Sequence, residues 1–183
     1  MEADRWPPCY DAEELKKSIQ LLTSASQVSD IFYGPLEAGD LYQGDIIELR
    51  SPIPFIWEDG NPGIGDEFEN WLVVGNSCDI HRTTEDASVT QILPIVPIPS
   101  ANLGSADRNQ FLTYRYYRRF YLPPWDDASS KFVHFADFMR PVTIYQSAIE
   151  NSAQRIASLN YHSWLLLNSC LVRFMARDDG RYD

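Results

Sequence analysis

The sequence WLVVGNSCDIHR, residues 71–82, decides the fold of this chain, because an apolar run passes directly into a turn rich in reactive side chains. A strand with one wet face would alternate apolar and polar residues, whereas Trp71 to Val74 are apolar without interruption. The run therefore predicts a strand buried on both faces that ends at Gly75 and Asn76. Any chemistry is expected where this strand stops.

Four side chains after the strand are the candidate catalytic residues: Cys78, Asp79, His81 and Arg82. A cysteine nucleophile needs a nearby base to form its thiolate, and His81 lies three positions after Cys78. This spacing is compatible with cysteine-based chemistry. It predicts that the Cys78 thiol reacts faster than a free cysteine at neutral pH.

A zinc site is the second interpretation of the same turn. Cys78 and His81 have the Cys-x-x-His spacing of two metal ligands, and zinc would need two more. The remaining candidates for those ligands are His162 and Cys170.

A purely structural turn is the third interpretation, and it is the one we prefer. Asn76, Ser77 and Asp79 are residue types that hydrogen-bond to the turn backbone at strand ends. Cys78 would then be a small buried apolar residue. This interpretation needs no metal or other cofactor, and we expect none.

The residues before the central strand predict a helix first. Residues 11–26 open with acids, which the helix dipole favours, and they place Leu15, Ile19 and Leu22 on one stripe. This amphipathic helix packs either on the rest of the domain or on a partner protein.

Short strands and a long loop are predicted between that helix and the central strand. Ile31–Tyr33 and Gly39–Leu49 have the composition of strands, and Gly44 inside the second predicts a bulge or a tight bend. Residues 51–70 hold three prolines, three glycines and five acids. They predict a long loop that carries a short strand at Phe55–Trp57 and is a candidate binding loop.

After the turn, three further segments have clear patterns. Thr90–Pro99 is apolar and predicts a second buried strand that pairs with the strand at Trp71–Val74. Ser105–Arg119 predicts a helix capped by Ser105. Lys131–Tyr145 predicts one or two strands, with a break at Pro141.

The end of the chain predicts a strand and a helix. Arg155–Leu159 is a short strand, Asn160 is a good N-cap, and Tyr161–Arg177 is a helix that ends before Gly180. The helix should fill the core with one apolar stripe, formed by Trp164, Leu167, Leu171, Phe174 and Met175.

The composition indicates a globular, strand-rich protein. Hydrophobic residues make up 44% of the 183 residues, aromatic residues make up 13%, and there are 12 prolines. No apolar run approaches the length of a membrane span, and the first residues lack an apolar signal core, so we expect a cytoplasmic protein without membrane contact. Three widely spaced cysteines favour reduced thiols.

The charge of the chain is unevenly distributed. The formal net charge is −11, and the first 70 residues hold 15 acids and four bases, while the rest hold 11 of each. An anionic surface repels nucleic acid over a Debye length of about 8 Å, and it suits either solubility or a basic partner. We therefore expect a protein partner to bind through the acidic N-terminal part.

One basic and aromatic segment stands apart from this acidity, at residues 108–121. Arginines and tyrosines together grip single-stranded nucleic acid through phosphate contacts and base stacking. Alternatively, the tyrosines are buried and the arginines pair with the acidic first part. The candidate nucleic-acid-binding residues are Arg108, Arg115, Tyr117, Arg118 and Arg119.

Residues 39–100 resemble the MazF/PemK family of toxins. The shared features are a first strand led by Gly39-Asp40-Leu41, a charged loop, a buried strand ending in Val-Val-Gly-Asn-Ser, and a strand ending in Pro-Ile. The resemblance implies a strongly bent antiparallel SH3-like barrel and, in active members, metal-independent RNA cleavage. It also implies an arginine followed by proline before the buried strand, and here Glu69 and Asn70 precede Trp71. A glutamate there would repel a scissile phosphate, because a catalytic cation stabilises developing negative charge.

Two functions follow from this comparison. The first is a non-catalytic or degenerate MazF-like barrel that acts by protein association in a bacterial toxin–antitoxin or antiviral defence module. The alternative is an endoribonuclease toxin that cleaves single-stranded RNA and uses His81, Arg82 and the cluster at Arg115–Arg119 in place of the missing cation. Whether the chain is an enzyme, and whether it associates with itself, stays open at this point.

The expected fold class is α+β and mainly β. It comprises the SH3-like barrel with an N-terminal helix, an inserted helix and a C-terminal helix. Residues 1–30 form an acidic extension with the amphipathic helix, and residues 31–183 form one barrel domain with appended helices.

Overall fold

The structure, a computed structural model, describes residues 12–24, 28–36, 39, 41–49, 53–56, 62–65, 68–77 and 89–175. Its helices are α1 (Ala12–Ser24), α2 (Val28–Phe32), α3 (Ser105–Leu112), α4 (Gln146–Ser152) and α5 (Tyr161–Met175). Its strands are β1 (Asp45–Leu49), β2 (Ile53–Ile56), β3 (Pro62–Gly65), β4 (Asn70–Val73), β5 (Val89–Pro99), β6 (Arg119–Leu122), β7 (Phe132–Asp137), β8 (Val142–Tyr145) and β9 (Ala153–Ser158). The protein is therefore α+β and mainly β, as the sequence predicts.

Seven strands form one antiparallel sheet in the order β6-β7-β5-β4-β1-β9, with β8 also paired to β5. Among the described strands, the end strands β6 and β9 do not pair with one another, so the sheet is open and does not close into a barrel. The strand β5 pairs with β8 through residues 89–92 and with β7 through residues 95–99. The turn between β7 and β8 contains Pro141, so the predicted break is confirmed.

The central strand β4 is buried on both faces, as the uninterrupted apolar run predicts. Leu72 lies in the main core, the cluster of buried apolar residues that joins α1, α2 and α5 to the sheet and includes Leu22, Phe32, Leu93 and Leu167. Trp71 and Val73 lie in a second cluster on the other face of β4. The predicted pairing with β5 is also confirmed, because Leu72 lies opposite Leu93.

The start of β1 differs from the prediction. The strand begins at Asp45 and not at Gly39, because Tyr42–Asp45 form a turn in which the Asp45 N–H donates to the Tyr42 carbonyl (3.0 Å). Gly44 has a φ of 97°, which favours glycine, so the predicted tight bend is confirmed. Between Ile46 and Ile47 the pairing with β9 shifts register, as at a β-bulge.

The strand predicted at Ile31–Tyr33 is wrong, because Val28–Phe32 is the helix α2. Three apolar residues are too few to distinguish a helical from a strand period. Phe32 is fully buried, and its carbonyl accepts hydrogen bonds from the Asn160 N–H (3.0 Å) and the Ser163 hydroxyl. These bonds fix α2 to the first turn of α5.

The segment predicted as a long loop contains a hairpin of β2 and β3, in which Phe55 pairs with Gly63. Trp57, the end of the predicted short strand, lies outside the described residues.

The inserted helix is shorter than predicted. It ends at Leu112 and not at Arg119, because Tyr114 adopts a left-handed φ of 52° and its ring packs on the main core. Its N-cap is Gly104 and not Ser105, and it makes no side-chain capping bond.

The N- and C-terminal helices follow the prediction closely. Asn160 caps α5, since its Oδ1 accepts a hydrogen bond from the Ser163 N–H (3.0 Å). Four of the five predicted stripe residues pack in or on the core, but Met175 is 78% exposed in the last turn. The helix α1 packs against α5 and places Leu22 in the main core.

Gly75 gives a direct test of how closely β4 and β5 approach. A Cβ at Gly75 would lie 2.0 Å from Thr90 Oγ1 and 3.1 Å from the Gln91 backbone nitrogen. Gly75→Ala is therefore expected to lower the free energy of unfolding by about 1–3 kcal/mol, measured by urea unfolding. The control is Gly34→Ala, where a Cβ would meet only ordinary contacts at 3.8 Å.

Adding Thr90→Ala to the Gly75→Ala protein removes the nearest clashing atom and should recover part of the loss. A Gly75→Ala protein as stable as the Gly34→Ala protein would contradict the close approach of β4 and β5.

Candidate functional site

Gln43, in the turn before β1, holds the residues that follow β4 through its backbone and its side chain. Its backbone N–H donates to Ser77 Oγ (2.9 Å), and its side-chain amide donates to the Val74 carbonyl (2.9 Å). Its Oε1 accepts a hydrogen bond from Trp164 Nε1 in α5 (2.8 Å). The start of the reactive turn is therefore tied to both β1 and α5.

The four candidate catalytic residues, Cys78, Asp79, His81 and Arg82, lie outside the described residues. Their roles stay predictions. Ser77 is the last described residue before the turn, and its hydroxyl oxygen accepts a hydrogen bond from the Gln43 backbone N–H.

The other two residues of the zinc interpretation are far apart. His162 and Cys170 are eight residues apart in α5, which is about 12 Å along a helix axis. His162 Nδ1 lies 3.0 Å from the Ser18 hydroxyl, and Cys170 is buried in the main core. Within the described ranges, no group of three or more His, Cys, Asp or Glu side chains could hold a metal ion.

The Cys170 thiol is expected to be inert. Burial raises the pKa of Cys170 to about 11, and the nearby Arg173 offsets this only in part. At pH 8 we therefore expect iodoacetamide to label Cys170 about 100-fold more slowly in the folded protein than in urea.

Peptide mass spectrometry measures the labelling of Cys78 in the same sample. Labelling of Cys78 no faster than that of a free cysteine would contradict cysteine-based chemistry.

Asp45 is a buried acid that is not among the candidate residues predicted from the sequence. Its side chain is fully buried and accepts hydrogen bonds from Arg155 Nη1 (3.2 Å), the Ser158 hydroxyl (2.6 Å) and the Tyr42 N–H (2.8 Å). An acid directly before the apolar residues of β1 was the available signal, because acids are almost never fully buried unless paired. The network joins β1 to β9 and is structural.

The basic segment divides into one enclosed and several exposed arginines. Phe111, Val133 and Phe135 form a small apolar cluster, the α3 cluster, against which Tyr116 packs. The Arg119 guanidinium lies over three of its rings, at 4.6 Å from the centre of Phe135, 5.6 Å from Tyr116 and 5.8 Å from Phe111. Such stacking is the usual cation–π arrangement. Arg119 therefore stabilises the packing of α3 on the sheet.

The remaining candidates for nucleic-acid binding are on the surface. Arg115 and Arg118 are exposed, and the Arg118 guanidinium lies 5.4 Å from the ring centre of Tyr117, which is 39% exposed. Arg108 is exposed and lines a separate cavity of about 210 Å³ beside Tyr121. Burial raises the pKa of Tyr121, and the positive charge of Arg108 opposes that rise.

A larger apolar groove of about 490 Å³ lies between α1, α5 and the turn after α3. Sequence reasoning missed it, because three segments far apart in the chain form it. Its rim residues Ile19 and Leu112 are 41% and 43% exposed, and its floor includes the buried Leu22. The groove is lined by Ile19, Leu22, Leu112, Thr113, Tyr114, Leu166, Ser169, Cys170, Val172 and Arg173.

The groove has one charged side chain among its described lining residues, Arg173. Arg173 Nη2 donates a hydrogen bond to the Tyr114 carbonyl (2.6 Å), which holds the guanidinium beside the turn after α3. A guanidinium has five N–H donors, and the hydrogen bonds given for the described residues use one of them.

No protein-family model matches the chain, and a search of curated proteins finds no match. The helices of the described chain include none long and apolar enough to cross a membrane.

Proposed function

We propose that this chain is a protein-association domain, a degenerate MazF-like fold with an open sheet, that binds another protein. Its setting is a bacterial toxin–antitoxin or antiviral defence module in the cytoplasm. The single observation that carries the association is the apolar groove, with Ile19 and Leu112 exposed on its rim. Exposed apolar surface of this kind is characteristic of protein interaction sites.

The position of the groove supports the expected role of the acidic N-terminal part. The helix α1 belongs to the first 70 residues, which carry the whole net charge, and it forms one wall of the groove. A partner in the groove therefore contacts that part of the chain directly.

Two features of the sheet support an SH3-like ancestry. Small barrels need strands that bend sharply, and the bulge between Ile46 and Ile47 and the turn at Gly44 bend the chain at β1. The strand β5 is shared along its length by β7 and β8, so one long strand pairs with two successive partners.

The start of β4 supports loss of cleavage by the family mechanism. Glu69 is exposed there, and its carbonyl accepts the Leu49 N–H (3.0 Å), so an acid occupies the position where the resemblance implies a cation. A carboxylate would oppose the charge of a scissile phosphate.

Co-expression with the products of the neighbouring genes tests the proposal. We expect one of them to form a complex with the full chain that survives size-exclusion chromatography. Leu112→Asp should weaken that complex at least tenfold, because it places a charge on the apolar rim. The matched control is Met139→Asp, since Met139 is 52% exposed and does not line the groove. A chain that forms no complex and captures no partner in a native pull-down would contradict the proposal.

The endoribonuclease alternative is favoured by one specific contact. The Arg140 guanidinium lies 5.8 Å from the ring centre of Phe68, the residue directly before Glu69, and Arg140 also pairs with Asp137 (3.6 Å). A cation from another segment therefore reaches the start of β4.

RNA cleavage in the presence of a chelator tests this alternative. We expect single-stranded RNA to be cut, and Arg140→Ala, Arg82→Ala and His81→Ala each to reduce the rate by about 100-fold. The exposed Lys131→Ala serves as the control. No cleavage, or cleavage that all three variants retain, would contradict the alternative.

A further inference from the structure

The hydroxyl groups that line the apolar groove already donate their hydrogen bonds within the protein. Thr113 donates to the Asn109 carbonyl (2.6 Å), Tyr114 to the Tyr121 carbonyl (3.2 Å) and Ser169 to the Leu165 carbonyl (2.9 Å). Burial raises the pKa of the Tyr114 hydroxyl, which therefore stays protonated and keeps its bond. These three donors do not have to be satisfied by a ligand.

The lining therefore offers an occupant two kinds of interaction. The first is apolar contact with side chains of α1, α5 and the turn after α3. The second is the exposed positive charge of Arg173, whose guanidinium has N–H donors beyond the one that bonds to the Tyr114 carbonyl. An occupant that matches both presents an apolar face and one carboxylate that faces Arg173.

The two exposed apolar residues of the groove favour an extended occupant. Ile19 and Leu112 lie on different helices and are each about two-fifths exposed, so an occupant that spans both helices buries apolar surface on each of them. A groove bordered by helices accepts an amphipathic helix whose apolar residues recur at i, i+3 or i+4, and i+7.

We propose that the groove binds an amphipathic helical segment of a partner protein, with an aspartate or glutamate of that segment paired to Arg173. This inference rests on the proposed association function and names the chemistry of the partner. The pairing is exposed to solvent, so it adds specificity and only about two- to fivefold in affinity. The apolar contacts supply the remainder.

Selection from a phage-displayed library of random 16-residue peptides on the immobilised full chain tests the inference. We expect the selected peptides to share helically spaced apolar residues and one acid at a constant distance from them. Selection on Arg173→Glu should replace that acid by lysine or arginine. A synthetic selected peptide should bind Arg173→Gln about two- to fivefold more weakly, and a version with glutamine for its acid should bind both proteins equally.

The outcomes separate the two proposals. If the selected peptides share apolar residues but no acid, and Leu112→Asp abolishes their selection, the result would overturn the Arg173 pairing and leave the association function intact. If no peptides are enriched, or if Leu112→Asp selects the same peptides, the result would overturn use of the groove by a peptide. A full-chain dimer, seen by light scattering and dissociated by Leu112→Asp but not by Met139→Asp, would identify a second copy as the occupant and overturn the peptide assignment.

Discussion

Replacement of Asp45 by alanine is expected to lower the free energy of unfolding by about 3–5 kcal/mol at pH 7. The carboxylate is fully buried, and it accepts hydrogen bonds from Arg155, Ser158 and the Tyr42 backbone. Its removal takes away the carboxylate that pairs at 3.2 Å with the guanidinium of Arg155, whose side chain is only 16% exposed. Urea unfolding followed by tryptophan fluorescence measures the loss.

The matched control for this substitution is Glu150→Ala, since Glu150 is an exposed acid on α4. It should change the free energy of unfolding by no more than about 0.5 kcal/mol. A loss below about 1 kcal/mol for Asp45→Ala would show that the network does not hold β1 to β9.

A double-mutant cycle with Arg155→Met separates the ion pair from the other two bonds. Arg155→Met alone would leave the fully buried Asp45 without its ion pair, and the double variant avoids that cost, so it should be more stable than the sum of the single losses predicts. It should still be less stable than the original protein, because the Tyr42 N–H and the Ser158 hydroxyl lose their acceptor. Strictly additive losses would show that Asp45 and Arg155 do not interact.

The sequence predicts best those elements whose signals are local. The uninterrupted run at Trp71–Val74 specifies a strand buried on both faces, and Asn160 ahead of a helical stripe specifies the start of α5. Both signals depend on neighbours within a few residues. They are confirmed because no distant contact competes with them.

The sequence predicts the wrong secondary structure where a distant contact decides the conformation of the backbone. Phe32 belongs to a helix because its backbone bonds to the first turn of α5, about 130 residues later. Tyr114 ends α3 early because its ring packs on the main core. Neither contact leaves a mark in the adjacent sequence.

The candidate site is less predictable than the fold for the same reason. A basic residue among tyrosines suggested nucleic-acid binding at Arg119, but its position in β6 places it over three rings of the α3 cluster. The partner of Asp45 lies 110 positions away, and the groove is assembled from three separated segments. Such sites follow from topology, which local patterns do not encode.

His134 provides the second large expected effect, a loss of stability in mild acid. It is a core residue of β7, 4% exposed, with its ring 4.6 Å from that of Trp125 and 5.9 Å from that of Phe132. Within the part of the chain that the structure describes, its Nδ1 has no hydrogen-bond partner. Burial lowers the pKa of His134 to about 4, and the nearby Asp126 opposes this only in part.

The sign of the pH effect follows from the difference in the pKa of His134 between the folded and the unfolded protein. In the unfolded chain, His134 takes up a proton as the pH falls through about 6.5, whereas in the folded protein it stays neutral until about pH 4. Its contribution to stability is therefore fully present above pH 6.5 and is lost between pH 6.5 and pH 4. We expect this loss to reach about 3 kcal/mol.

His134→Phe isolates this contribution, because it keeps an aromatic ring beside Trp125 and cannot be protonated. The acids that titrate between pH 6.5 and pH 4 are the same in both proteins, so their effects cancel in the difference between the two stability profiles. The variant should therefore lose about 3 kcal/mol less than the original protein over this range. Equal slopes would contradict the prediction, and so would an NMR titration of the His134 ring with a midpoint near 6.5, a measurement that does not require the variant to fold.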